Sequence, residues 1–259
     1  MRDLATGQAV RQACRRGQLT SPTPGLALGF VQANLVLLPQ DWAFDFLLFC
    51  IRNPKPCPLL CVTEPGQWEA SVAPGSDLRT DLPAYRVWEH GQFRDLHDVS
   101  DHWRDDLVGF VIGCSFTFEN ALLQHGIPVR HIDEDRNVPM YRTTVPCQPA
   151  GCFHGPLVVS MRPLTPRHTL EATRLCARYP RAHGTPVHFG DPAAIGISDL
   201  DKPDYGDAVT IKAGEQPVFW ACGVTPQAAL AAAKPPFAIT HKPGHMFLTD
   251  LRDLDLEAE

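Results

Sequence analysis

The sequence contains no apolar run long enough to cross a membrane and no cluster of basic residues. Its longest apolar stretch, residues 46–51, is far shorter than the ~18–20 residues of a membrane-spanning helix. Basic residues never cluster beyond the pair Arg15-Arg16, and the formal net charge is −6. Nucleic-acid-binding proteins normally carry a basic stripe. We therefore expect neither a membrane nor a nucleic acid as a partner.

Three common enzyme fingerprints are also absent. The patterns G-x-x-x-x-G-K-[S/T], G-x-G-x-x-G and G-x-S-x-G do not occur. Their absence argues against a P-loop NTPase, a Rossmann dehydrogenase and a typical α/β-hydrolase. His241 and His245 are four residues apart, but Pro243 and Gly244 interrupt the helix that would align them on a zinc ion. No cofactor is predicted, and a divalent metal is left open.

The cysteine and proline contents are the unusual features of the composition. The nine cysteines are odd in number and irregularly spaced, with no apolar signal-peptide core before them. This usage favours reduced thiols and a cytoplasmic protein. The 25 prolines among 259 residues are about twice the ~5% average, but they are scattered between apolar runs. This pattern indicates a globular chain with stiff loops.

Helical and strand-like segments alternate along the chain, which predicts a mixed α/β fold with sheets covered by helices. Thr165-Pro166 illustrates a helix start, with a capping hydroxyl followed by proline at the first helical position. Helices are predicted over residues 6–17, 42–53, 116–124, 165–179 and 225–233. A hairpin is predicted over 84–94, and strands over 58–63, 107–113, 127–132, 138–145, 157–162, 187–189, 209–212, 218–220 and 237–240.

One motif occurs twice, 108 residues apart. Residues 114–122 and 222–230 share the pattern C-x-x-T-x-[E/Q]-x-A-L, and each copy follows an apolar strand and opens a helix. Each predicted helix leads to a short apolar segment that ends in a histidine, His131 or His241. The pattern predicts an internal duplication of a strand–turn–helix–strand unit. We expect one compact unit over 1–259 with repeated subdomains at about 20–145 and 150–252.

The repeated turns are candidate anion-binding sites. The first turn of a helix presents free N–H groups, and its dipole favours a negative ligand or a thiolate such as Cys114 or Cys222. Thr117 and Thr225 could cap the helices and also donate a hydroxyl to a carboxylate. Two facing turns would suit a ligand with two carboxylates. The alternative is that these cysteines are packing residues and the threonines are caps only.

Several polar residues outside the repeat are further candidates. Arg142 lies among strand-like residues, where either a ligand carboxylate or a structural Asp would be a natural partner. His154 precedes Gly155. A histidine beside glycine is typical of an accessible acid or base, but it is also common in ordinary surface turns.

Long segments of the chain resemble the D-glutamate cyclase family. They are residues 29–66, 76–87, 138–164, 218–230 and 235–251, and the likeness extends over about 5–252. Only Cys61 and Cys152 depart from what the family leads us to expect. The resemblance implies a hydro-lyase, with D-glutamate closing to 5-oxo-D-proline or a related loss of water from a small amino or hydroxy dicarboxylate.

The role assignments come from the repeat, not from the family. The predicted catalytic residues are His131, His241, Glu119, Cys114 and Cys222. The predicted substrate-binding residues are Arg142, Ser115, Thr117, Gly223, Thr225, His154 and His245. A homo-oligomer is left open. Two alternatives remain: a dicarboxylate-binding module without turnover, and a hydrolase with a cysteine nucleophile.

Overall fold

The computed structural model describes residues 4–258 and contains two antiparallel sheets with helices packed against them. The helices are α1 (Gly7–Arg15), α2 (Gln40–Arg52), α3 (Phe116–Gln124), α4 (Arg130–Asp133), α5 (Pro166–Cys176) and α6 (Thr225–Ala233). The strands are β1 (Phe30–Pro39), β2 (Leu59–Val62), β3 (Tyr85–Glu89), β4 (Gln92–Leu96), β5 (Leu107–Gly113), β6 (Met140–Pro146), β7 (Pro156–Leu164), β8 (His188–Phe189), β9 (Gln216–Ala221), β10 (Phe237–His241) and β11 (Phe247–Arg252).

The larger sheet is built around β1. Its order is β2-β5-β1-β10-β3-β4, and β11 pairs with the first half of β1. Successive β1 side chains point to opposite faces: Val36 and Leu38 pack under α2, whereas Leu35 and Leu37 pack with the core beneath β3. Because both faces are covered, every β1 residue after Phe30 is buried.

The smaller sheet has the order β6-β7-β9-β8. In β9, Val218 and Trp220 face a core shared with α3 and α5, while Phe219 faces the opposite core with Tyr141. The chain leaves the larger sheet after β5, forms the smaller sheet, and returns with β10 and β11. The turns after β5 and β9 therefore lie where the two sheets meet.

Most predicted elements are confirmed, with the α3 and α6 bounds as expected, and the mixed α/β class is correct. Two predicted strands are wrong. Residues 127–132 form a loop and α4, since Ile127 and Val129 pack against α3 without pairing to a strand. Residues 209–212 form no regular element. From sequence alone, short apolar runs of this kind cannot be assigned to a strand, a helix or a buried loop. The strands β1 and β11 were not predicted.

The predicted duplication is not confirmed, because α3 leads to helix α4 whereas α6 leads to strand β10. The division into two subdomains stays a prediction. Within residues 4–258 no helix has the length and apolar character needed to span a bilayer.

Candidate functional site

The turns that follow β5 and β9 lie side by side. Cys114 and Cys222 share one core cluster, and both are buried. A Cβ atom on Gly223 would lie 2.0 Å from the amide nitrogen of Asn34, so only glycine allows this approach. Asn34 Nδ2 also donates to the carbonyl of Gly113 (2.8 Å). A protein amide, rather than an open cleft, therefore fills the space between the turns.

The two cysteines are not activated by their helices. The backbone N–H groups of Phe116 and Val224, at the start of each helix, act to lower the pKa of the two thiols. Burial outweighs this effect, raising the pKa of Cys222 to about 11 and that of Cys114 further. The expected thiolate stabilisation is therefore overturned by desolvation.

The chemically richest cluster lies beside the first turn. Glu119 on α3 accepts hydrogen bonds at Oε1 from Arg162 of β7, from Nε (3.1 Å) and from Nη2. The other guanidinium contacts are hydroxyls: Nη1 donates to Ser160 Oγ (3.1 Å) and Nη2 to Ser115 Oγ (3.0 Å). Arg162 is completely buried and Glu119 is 3% exposed. Such a pair is stable only when each charge is compensated, as here.

His131 on α4 completes this cluster. Its Nε2 lies 3.3 Å from Glu119 Oε1, without a well-aligned hydrogen bond. Burial by itself would raise the pKa of Glu119, but the neighbouring His131 and Arg162 outweigh it and lower that pKa. Glu119 is therefore a carboxylate at neutral pH, held between the guanidinium of Arg162 and the ring of His131.

The second turn carries an uncharged counterpart. Gln227 on α6 occupies the motif position of Glu119, and its Nε2 donates to the backbone oxygen of His241 (2.9 Å). The N–H of Leu35 donates to His241 Nδ1 (3.2 Å), and burial lowers the pKa of His241 to about 4. His241 is thus a neutral histidine inside the larger sheet.

The remaining predicted residues lie apart from this cluster. Arg142 is exposed on β6 and donates to the hydroxyl of Tyr205 (3.0 Å) in a groove of about 410 Å³ on the smaller sheet. His154 is exposed on a loop. His245 is largely buried, its Nδ1 lies 3.1 Å from the carbonyl of Pro243, and burial lowers its pKa.

A cavity of about 210 Å³ reaches the charged cluster from outside. It is lined by residues 25–30, Gln32, Phe116, Glu119, Asn120, Leu123, Ile132 and Asp253. Because Glu119 Oε1 is occupied by Arg162 and His131, Oε2 is the oxygen free to meet a ligand there. An adjoining cavity of about 280 Å³ shares Gly29, Asn120 and Asp253 with it and is also lined by Arg252.

Arg162, Ser160 and Asp253 were missed from the sequence. A charged residue within the apolar strand predicted over 157–162 was a usable signal, since a buried guanidinium requires a partner. Asp253 gave no signal, because it contacts α3 only through the tertiary fold. Across residues 4–258, no three His, Cys, Asp or Glu side chains are grouped so that they could hold a metal ion.

Comparison with known proteins places the chain in a family. The sequence profile described as D-glutamate cyclase matches residues 108–250. A protein of Geobacillus kaustophilus named "Putative hydro-lyase" is 58% identical, with 97% of this chain and 96% of that protein covered. A protein of Mycolicibacterium gilvum with the same description is 60% identical, with 93% and 92% covered. The chain belongs to the D-glutamate cyclase family.

Proposed function

We propose that the protein is a hydro-lyase that closes D-glutamate to 5-oxo-D-proline with loss of water. Family membership and the names of the relatives support the reaction class. The observation that carries the proposal is the position of the Glu119 carboxylate. Arg162 holds one of its oxygens, Oε1, and the residue also lines a cavity.

The reaction needs orientation and proton transfer. The amine nitrogen attacks the γ-carboxyl carbon of its own molecule, a C–N bond forms, and a C–O bond breaks as water leaves. Two protons leave the ammonium and both reach the departing oxygen. Folding the substrate into the ring-closing conformer lowers the barrier because attack is intramolecular.

Glu119 is the proposed ammonium-binding group and proton acceptor. A free carboxylate oxygen at the cavity wall would attract the substrate ammonium and hold the nitrogen at a fixed place. His131, whose Nε2 lies 3.3 Å from Oε1, helps to keep Glu119 ionised and in place. Ser115 and Ser160 contribute indirectly, since they hold Arg162 in place.

Arg252 is the proposed partner of the α-carboxylate. It lines the adjoining cavity, and its guanidinium lies over the ring of Phe30, 3.9 Å from the centroid. No acidic side chain among residues 4–258 pairs with it within 4.0 Å. A guanidinium binds a carboxylate through two parallel hydrogen bonds. The sequence-based role of Arg142 stays a prediction.

The size of the cavity bears on the substrate class. Its volume of about 210 Å³ lies below the ~300–1,000 Å³ typical of pockets for drug-sized ligands. A single amino acid is the appropriate scale, with an ammonium at Glu119 and a carboxylate toward Arg252.

The test is conversion of D-glutamate, L-glutamate and related amino and hydroxy dicarboxylates, followed by chiral chromatography with mass detection of the dehydrated product. Glu119→Gln should lower kcat at least about 100-fold, as expected for loss of a proton-transfer group. Glu171→Gln, on the exposed face of α5, is the matched control and should retain activity. Absence of dehydrated product from every substrate would contradict the proposal.

The carboxylate partner is tested by a second pair of variants. Arg252→Met should raise KM, whereas Arg142→Met should leave KM unchanged because Arg142 lines a different groove. The reverse result would return the carboxylate-binding role to Arg142.

A binding module without turnover is a second candidate. It is favoured by the lowered pKa of Glu119, because a stabilised carboxylate holds an ammonium more readily than it removes a proton. Calorimetry with D-glutamate would then show binding that Glu119→Gln abolishes, while the product assay stays blank.

A further inference from the structure

Asp253 is a second buried carboxyl group at the same cavities. It begins the short 3₁₀ helix Asp253–Leu256 that follows β11, and its backbone N–H donates to the carbonyl of Gly29 (3.1 Å). The residue is 7% exposed and lines both the 210 Å³ and the 280 Å³ cavity. The backbone bond and the burial fix the carboxyl group at the junction of the two spaces.

The carboxyl group of Asp253 lacks the partners that a buried carboxylate needs. Oδ1 is sealed from solvent with no hydrogen-bond partner among residues 4–258, and Oδ2 is 3.4 Å from Asn120 Nδ2. Within the same residues no cationic side chain lies within 4.0 Å of it. An unpaired ionised carboxylate is costly here, so burial shifts the equilibrium of this group toward the protonated acid.

The groups that neighbouring elements place around Asp253 are consistent with a protonated carboxyl group. Helix α3 presents Glu119 and Asn120 at the 210 Å³ cavity, and Tyr179, which follows α5, lines the 280 Å³ cavity. Burial raises the pKa of Asp253 to about 6, outweighing the hydrogen bond from Asn120 and the charge of Arg252, which both lower it. The pKa of Glu119, by contrast, is lowered. Two carboxyl groups whose pKa values are driven apart at one cavity are a common arrangement for an acid and a base.

We propose that Asp253 is the catalytic acid of the cavity, which protonates the γ-carboxyl oxygen that departs as water. This inference rests on the proposed function. Asp253 gives its proton to a γ-carboxylate oxygen while Glu119 takes one from the ammonium, and the C–N bond forms. The nitrogen then loses its second proton to Asp253, which passes it to the same oxygen, and the C–O bond breaks with release of water.

The proton balance closes over the cycle. Two protons have left the nitrogen and two have joined the oxygen. Asp253 has lost one proton in net terms and Glu119 has gained one, so transfer from Glu119 to Asp253 across the shared cavity restores the enzyme. No oxidant, reductant or co-reactant is required.

The test compares kcat/KM across pH for the wild type and three variants. The wild-type value should fall as pH rises through about 6, because the free enzyme then loses the Asp253 proton. Asp253→Asn should lower kcat about 100-fold and remove this limb of the profile. Asp253→Glu should restore part of the rate, and Asp105→Asn, at an exposed residue just before β5, should behave as the wild type.

A second readout does not require activity. The pKa of Asp253 is higher in the folded protein than in the unfolded chain. Asp253 therefore lowers the free energy of unfolding progressively as pH rises from about 4 to about 6, and the loss is complete above that range. Asp253→Asn should therefore melt at a higher temperature than the wild type at pH 8 and should lose that advantage at pH 4. Equal melting temperatures at both pH values would overturn the buried-acid assignment.

The outcomes separate this inference from the proposed function. If the wild type forms 5-oxoproline and Asp253→Asn retains its kcat and pH profile, Asp253 is not the acid and the proposed function stands. If the wild type forms no dehydrated product, the proposed function fails and the catalytic role of Asp253 fails with it.

Discussion

The two strand–turn–helix segments share a sequence motif but differ in charge. In the first, Glu119 forms an ion pair with Arg162 and contacts His131. In the second, Gln227 at the same motif position bonds the backbone of His241 and bears no charge. In both segments this residue contacts the histidine that follows its helix. The local sequence therefore produces equivalent contacts in the two segments, while one amide-for-acid difference leaves a carboxylate at this position in the first turn only.

The threonines of the motif differ as well. Thr225 Oγ1 accepts from the N–H of Val158 (3.0 Å) and donates to its carbonyl (3.2 Å), which ties α6 to β7. Thr117 Oγ1 is buried without a partner among residues 4–258. The second turn is thus joined to the smaller sheet by neutral hydrogen bonds, whereas the first is joined to it by the Glu119–Arg162 ion pair. The neutral junction at Thr225 has only a structural role. At the charged junction, the second carboxylate oxygen of Glu119 is not used by Arg162 and is free to bind a ligand.

The largest effect is expected from breaking the ion pair of the first turn. Arg162→Met removes the guanidinium that pairs with the buried Glu119 carboxylate, which should cost about 3–5 kcal/mol in the free energy of unfolding. Gln227→Met in the second turn removes one hydrogen bond and should cost about 1–2 kcal/mol. Urea denaturation at pH 7.5 measures both.

The double variant Glu119→Gln/Arg162→Met sharpens this contrast. Removing both charges makes the first turn resemble the second, so most of the stability lost in Arg162→Met should return while activity stays low. If Arg162→Met alone cost less than about 1 kcal/mol, the pair would not hold the first turn to the smaller sheet.

The second prediction concerns the neutral histidine of the second turn. Burial lowers the pKa of His241 from 6.5 to about 4, so the unfolded chain takes up a proton that the folded protein resists. Stability should therefore be lost as pH falls from 6.5 to 4, by about 3 kcal/mol from this group. His241→Gln should remove that share of the slope in denaturation midpoints measured at several pH values.

His183 provides an independent control for the acid effect. It is also buried, and its pKa is likewise lowered to about 4. His183→Gln should remove a similar share, and the double variant should lose the sum of the two shares. An unchanged slope in His241→Gln would show that the ring is protonated in the folded state.

The sequence predicted the helices of both turns because their signals are local. A short apolar strand, a small turn and a helix of nine residues leave few alternatives at residues 107–124 and 216–233. The central strand β1 escaped prediction because it is buried on both faces and has no alternating pattern. The segment at 127–132 was assigned as a strand because apolar residues that fill a core from a loop look the same in sequence.

The candidate site was predicted in part for the same reason. Glu119 and His131 were identified through the motif and the histidine that follows it, and both are local features. Arg162 and Asp253 reach Glu119 and the cavity from β7 and from the end of β11, so their proximity depends on sheet pairing. A buried charge without a partner in sequence was the one signal available for Arg162.

The third prediction separates the two threonines. Thr225→Val leaves the N–H of Val158 buried and unpaired, which should cost about 1–3 kcal/mol in the free energy of unfolding. Thr117→Val removes an oxygen that has no partner and should change stability by less than about 0.5 kcal/mol, or increase it. Equal losses would mean that Thr117 also acts as a hydrogen-bonding cap.

The smallest effect is expected at the cysteines, where the two turns should behave alike. Iodoacetamide reacts with thiolates, and burial raises the pKa of both Cys114 and Cys222. At pH 7.5 the folded protein should be alkylated first at the exposed Cys152, while Cys114 and Cys222 react only in urea. Peptide mass mapping over time distinguishes the sites. Rapid alkylation of Cys114 with loss of activity would favour the cysteine hydrolase. Protection of both thiols leaves the carboxylate of Glu119 as the group that distinguishes the first turn from the second.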